Sequence, residues 1–178
     1  MLKKLHVKDF TVFDDAKFAF GALNVIHGEN SSGKTHLLKL AYSVVSSFVP
    51  APNEPLGDRP TKGTMDQRLG AKLVGVFRPD RDKLGRLARR VHGTKRSVVA
   101  ADFGAEGGAE FYFSTQSDRA VKTSTLPPAW LTQAPAFLPT RELLSVYPGF
   151  VSLYETQAIP FDEIWRDTCL LLGAPVAR

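Results

Sequence analysis

The chain has 178 residues, of which 43% are hydrophobic and 23% charged, a balance that suits one domain with its own apolar core and excludes a disordered or fibrous protein. Its one cysteine, Cys169, rules out an internal disulfide and a multi-cysteine zinc site, and points to a reducing, cytoplasmic setting. No run approaches about 18 apolar residues, and no apolar stretch follows the charged N-terminus, so neither a membrane span nor a secretion signal is expected.

In chain order, residues 2–8 and 16–20 predict two strands joined by a turn around Phe13-Asp14-Asp15. Leu23-Asn24-Val25-Ile26-His27 is short, apolar and β-branched, the pattern of a strand buried on both faces of a parallel sheet. Behind it, Leu37, Leu38, Leu40, Ala41, Val44 and Val45 recur at helical spacing up to Phe48. Residues 49–64 hold four prolines and read as a surface loop. Helices are expected over 65–76 and 81–91. Residues 97–103 and 109–115 then flank the Gly-rich 104–108 as a β-hairpin. A strand over 136–140 leads into helical material from Arg141 to Leu172, broken near Pro148-Gly149 and Pro160.

Between the strand and the first helix stands Gly28-Glu29-Asn30-Ser31-Ser32-Gly33-Lys34-Thr35, a complete G-x-x-x-x-G-K-[ST] phosphate-binding loop. Backbone N–H groups can wrap a polyphosphate only where no Cβ holds them off, which is the task of Gly28 and Gly33. Lys34 supplies a point charge to the β- and γ-phosphates and Thr35 a hydroxyl for Mg2+, while the helix dipole adds partial positive charge. ATP and Mg2+ are therefore the expected ligands. His27 and His36 flank the loop without a carboxylate or Cys partner in sequence. Neither is given a catalytic role, and His36 enters the binding set by its place in the first helical turn.

Such a loop needs a carboxylate strand for its metal. Only Val98-Val99-Ala100-Ala101-Asp102 has the required string. If Asp102 holds the metal, the chain is a self-sufficient small kinase or GTPase; if Asp102 is one arm of the hairpin, the catalytic half lies elsewhere.

The pattern Leu5-His6-Val7-Lys8-Asp9-Phe10-Thr11-Val12-Phe13, a second strand ending Phe18-Ala19-Phe20-Gly21, and then the loop resembles the head domains of ABC-type ATPases of the RecF, SMC and OLD kind. Phe137-Leu138-Pro139-Thr140-Arg141-Glu142-Leu143-Leu144-Ser145 and Gly149-Phe150-Val151-Ser152-Leu153-Tyr154-Glu155 look like the later segment of bacterial AAA family ATPases of that group. The resemblance implies an α/β P-loop NTPase fold, with antiparallel strands beside the P-loop strand. Residues 1–140 would form the ATP-binding lobe, and 141–178 the start of a helical subdomain. It also implies that a C-terminal lobe with Walker B is absent, supplied by a missing segment or a partner subunit in a dimer of heads. The biology it implies is DNA repair or phage defence. Phe13 would stack on the adenine. Glu142 would stand at the Q-loop place, as a weak candidate for the metal shell and catalysis, with Gln157 further on. The sequence departs from the family at Asp9, where Asn is usual, and at Ser31, where Gly is common.

The net charge of +5 is uneven: residues 51–98 carry +7, against +2 for 1–50 and −4 for 99–178. Much of it lies between Arg78 and Arg96, where Leu84, Leu87, Ala88 and Val91 suggest an amphipathic helix. Its basic face is either a solvated surface or a contact for nucleic acid or another acidic partner. A non-catalytic module that keeps nucleotide only as a structural ligand is the remaining reading.

Overall fold

The computed structural model describes residues 1–51, 54, 57–90, 96–138, 149–157 and 159–173. Its frame is a five-stranded antiparallel sheet built from β1 (Lys4–Phe10), β2 (Phe13–Ala19), β3 (Arg96–Asp102), β4 (Gly108–Ser114) and β5 (Lys122–Thr125), in the order β2-β1-β3-β4-β5. The α-helices are α1 (Lys34–Ser47), α2 (Lys62–Phe77), α3 (Phe150–Thr156) and α4 (Glu163–Gly173). The mixed α/β class and the hairpin over 97–115 agree with the sequence pattern. Among the described residues no helix is long and apolar enough to cross a membrane.

Alternation sets the two faces of the sheet. Leu5, Val7, Val99, Ala101, Phe111 and Phe113 turn inward, and Leu37, Leu40 and Val44 of α1 and Met65, Leu69 and Leu73 of α2 close over them in one core. Each fully buried Leu or Phe contributes about 1.5–3 kcal/mol by leaving water. The opposite face carries Lys4, His6 and Lys8 and stays in solvent, as an antiparallel sheet allows.

Several expectations are corrected. The first turn falls at Thr11-Val12, because Phe10 pairs with Phe13 and so draws Phe13-Asp14-Asp15 into β2. The expected buried strand at 23–27 belongs to no ladder. Its backbone has no hydrogen bond to any described residue, and Leu23 and Val25 are 85% and 81% exposed. The physical reason is the absence of a neighbour: each of the five strands pairs only with its neighbours in the sheet, and none of the described strands lies beside 23–27. The "antiparallel strands beside the P-loop strand" are thus present, but unpaired with it. Likewise Ala136–Leu138 forms no strand; Phe137 lodges between α1 and α4, its carbonyl accepting from Thr168 Oγ1 at 2.6 Å. Residues 139–140 lie outside the described residues.

The loop expected over 49–64 ends early, since Thr61 caps α2 at Lys62. The expected helix over 81–91 is absent among its described residues. Arg78 and Arg81 have positive φ values of 45° and 56°, and only short 3-10 turns follow at Asp80–Asp82 and Leu84–Leu87. Tertiary hydrogen bonds override the helical pattern there: Leu84 and Gly85 donate to the carbonyls of Asp118 and Ser117, at 2.7 and 2.8 Å, and Ala88 bridges to Phe10. Leu84, Leu87 and Ala88 of that pattern are buried all the same, while Val91 lies outside the described residues. Strand β5 escaped the sequence reading because Lys-Thr-Ser-Thr is short and polar, with only Thr123 buried.

Gly85 shows how close this packing is. A Cβ there would lie 2.3 Å from the Thr115 carbonyl oxygen, whereas a Cβ at Gly63 in the first turn of α2 meets open space. Gly85→Ala is expected to lower the unfolding free energy in urea by about 1–3 kcal/mol. Gly63→Ala is expected to raise it by about 0.5–1 kcal/mol. Equal stability of the two variants would contradict the packing.

Helix α4 is held to α1 and α2 by a half-buried polar network. Lys72 reaches Glu163 at 2.8 Å and Asp167 at 3.0 Å, Tyr42 donates to Asp167, and Arg166 bridges Glu163 and Asp167. Burial alone would raise the Asp167 pKa, but the Lys72 charge and the hydrogen bonds from Tyr42, Arg166 and Lys72 outweigh it and hold the carboxyl below its ordinary value. A depressed folded-state pKa stabilises the fold above the ordinary carboxylate range, and that share is lost as pH falls through the folded value. Acid titration is therefore expected to loosen α4 below about pH 4, read by the fluorescence of Trp165. In Asp167→Asn this acid-dependent component should be missing.

Candidate functional site

Residues 28–35 form a tight loop running into α1. Gly28 has φ 150° and Gly33 φ 96°. A Cβ at Gly33 would stand 2.6 Å from Val12 Cγ2 and 2.9 Å from Phe13 Cζ, so the β1–β2 turn presses on the loop at a residue without a side chain. Ser31 takes φ 66°, a left-handed conformation that glycine adopts without strain. Asp9 does the same at φ 48°. Both positions where the sequence departs from the resembled family thus need the backbone that Gly or Asn favours.

The side chain of Lys34 folds back over the loop. Its Nζ donates to the carbonyls of Gly28 at 2.8 Å and Glu29 at 2.6 Å, placing the ammonium over the loop it closes. Ser32 N–H donates to the Glu29 carbonyl at 3.3 Å, and Leu37 N–H to the Gly33 carbonyl at 2.9 Å opens the helix. Gly33, as N-cap, offers no side-chain acceptor, and the first turn of α1 holds no acidic residue. The leading N–H groups of α1 are therefore left for an anion. Asn30 and Thr35 are exposed beside them.

The structure gathers Phe13 to this loop: its ring lies against Gly33 and edge-on to Phe18 at 5.6 Å, half-buried. It takes the His36 ring elsewhere. That imidazole packs edge-on to Phe77 at 5.7 Å with Nδ1 buried and without a partner among the described residues, and burial, helped by the Lys39 charge, keeps its pKa below the ordinary value. What His36 offers the loop is its backbone N–H. Asp102 ends β3, between β1 and β4, and its carboxylate accepts from Gly104 N–H at 2.8 Å to close the hairpin turn. A metal carboxylate on a parallel strand is not its place in this sheet. Glu142 lies outside the described residues, and Gln157 closes α3 as an exposed residue.

The basic stretch carries less free charge than its sequence suggests. Arg81 and Arg86 face Asp80 at 4.0 and 3.3 Å, Lys83 faces Asp118 at 3.5 Å, and Arg89 faces Asp14 at 2.7 Å. Among the described residues no group of three or more His, Cys, Asp or Glu side chains gathers as a metal site. A Mg2+ ion carried with a nucleotide needs none, since phosphate oxygens, water and one hydroxyl suffice. Sequence reasoning missed the pressure of Val12 on Gly33 and the Lys39–Asp162 pair near Thr35, whose members lie 123 positions apart. No local signal marks either.

No protein-family model matches the chain, and no curated protein is significantly similar to it. The geometry of the loop must therefore speak for itself. Gly33→Ala is expected to lower the unfolding free energy by about 1–3 kcal/mol, through positive φ and the clash with Val12 and Phe13. The double variant Gly33→Ala/Val12→Ala should recover part of that loss in urea titrations. Strict additivity of the two changes would show that the residues do not meet.

Proposed function

We propose that the chain is an ATP-binding lobe of an ABC/SMC-like ATPase. The observation that carries this reading is Lys34 folded across two loop carbonyls at the start of a 14-residue helix whose first N–H groups have no side-chain cap. The shape of the loop depends on its two glycines. A Cβ at Gly28 would come within 3.1 Å of Ser32 Oγ and one at Gly33 would strike Val12, so the cradle is open only because both residues are glycine.

Each residue then has a task. The backbone N–H groups from Gly33 to His36 bind phosphate oxygens, and the Lys34 ammonium exchanges the carbonyls of Gly28 and Glu29 for the β- and γ-phosphates. Thr35 presents its hydroxyl to Mg2+, which, when bound, offsets phosphate charge. Phe13, fixed against Gly33, stands where an adenine would stack.

Hydrolysis needs groups that the described residues do not bring to this loop. The unpaired segment 23–27 supports a supply from another lobe or subunit: a strand added beside it would cover Leu23 and Val25 and satisfy its free backbone groups. Engagement of two such heads around ATP, and a role in DNA repair or phage defence, follow from the sequence resemblance alone.

Calorimetric titration with Mg2+-ATP tests the site. Lys34→Ala is expected to weaken binding by about tenfold to a hundredfold, the worth of hydrogen bonds to a charged group. Asp102→Asn should bind as wild type does, and the chain alone should show almost no turnover. Equal affinity of wild type and Lys34→Ala would refute the assignment. Turnover near 1 per second that vanishes in Asp102→Asn would identify a self-sufficient kinase or GTPase instead.

A further inference from the structure

A cleft of about 480 Å3 opens beside the phosphate loop, on the side of α1 that carries Thr35. Its apolar walls are Leu38, Phe137, Leu138, Phe161 and Trp165. The rings are fixed by their neighbours: Phe161 meets Trp165 at 5.1 Å and Phe150 at 5.2 Å, both edge-on, and Phe137 meets Tyr42 at 5.8 Å. The aromatic surface is therefore preformed. Leu38 and Leu138, 46% and 77% exposed, leave apolar area in water that a bound molecule would cover.

The polar groups of the cleft are few. Lys39 donates to the Val76 carbonyl at 3.1 Å and to Asp162 Oδ2 at 2.5 Å, so the two charges cancel within the wall. Asp162 and Thr35 both line the cleft, and neither the second oxygen of Asp162 nor the hydroxyl of Thr35 has a hydrogen-bond partner among the described residues. Volume, aromatic lining and a small number of polar groups are the features of a small-molecule site. A neutral ring system with one hydroxyl suits them, because the cleft offers stacking surface, one acceptor, one hydroxyl and no unbalanced charge.

We propose that this cleft is a second ligand site, for an uncharged planar aromatic molecule bearing a hydroxyl group, and that Thr35 joins it to the phosphate loop. Only that junction rests on the nucleotide reading; the cleft stands on its own walls.

The two tryptophans of the chain allow a direct test with 2-naphthol as probe, following their indole N–H signals in 15N-labelled full-length protein. Trp165 lines the cleft, while Trp130 donates to the Gly57 carbonyl at 2.7 Å and serves as the internal reference. A saturable shift of Trp165, with a midpoint at or below about 1 mM, is expected without a shift of Trp130. Leu38→Glu and Leu138→Glu, both at exposed positions, should each weaken it about tenfold, with the remaining amide signals of the spectrum unchanged. The charged analogue 2-naphthoate should bind more weakly than 2-naphthol. Lys34→Ala should leave the Trp165 response unchanged, so that loss of nucleotide binding and loss of cleft binding are read separately. A linear shift without saturation, equal shifts of both indoles, or unchanged affinity in both Leu variants would overturn the proposal. Tighter binding of 2-naphthoate would overturn the ligand class. A Trp165 shift that follows protein concentration alone would assign the cleft to a second copy of the chain.

Discussion

A side chain at position 33 would need the space that Val12 and Phe13 already fill, and this exclusion ties the loop 28–35 to the sheet. The tie works in both directions. Phe10 and Phe13 close the β1–β2 hairpin, whose turn sets where the loop can run, and the loop in turn sets where α1 begins. Helix α1 then buries Leu37, Leu40 and Val44 against the inner face of the sheet.

The second organising feature is polar. Helix α4 meets α1 and α2 through Lys39–Asp162, Lys72–Glu163 and the Tyr42, Lys72 and Arg166 contacts to Asp167. Half-buried charges of this kind add little net stability unless every partner is in place, since removing one leaves another desolvated and unpaired. Their effect here is positional. They bring Phe161 and Trp165 opposite Leu38 and so create the cleft beside Thr35 from segments that share no local sequence. The half-buried imidazole of His36, edge-on to Phe77, packs at the same junction.

The parts of the fold that sequence made legible are those with a local cause. Helices α1 and α2 follow from apolar residues at helical spacing, and the 97–115 hairpin follows from alternation around a Gly-rich turn. The failures have equally particular causes. Leu84, Leu87 and Ala88 have the spacing of a helix face, yet carbonyls of the 114–118 turn capture the nearby N–H groups. Leu23 and Val25 read as a buried strand, and burial depends on neighbours that the pattern of the segment itself cannot specify. Lys122–Thr125 carries almost no apolar signal, and is a strand because it pairs with β4, while Asp66 of α2 receives both the N–H and the hydroxyl of Thr123.

Of the candidate site, the eight residues from Gly28 to Thr35 were determined by sequence alone. Wrapping a phosphate requires consecutive backbone N–H groups, two missing side chains and one cation, all within the reach of a single turn. Tertiary structure alone decided that Phe13 touches the loop, that His36 turns its ring from it, that Asp102 closes a hairpin, and that Asp162 comes to stand near Thr35. Each of these depends on residues far apart in the chain, whose meeting is set by which faces the core buries rather than by any spacing along the backbone.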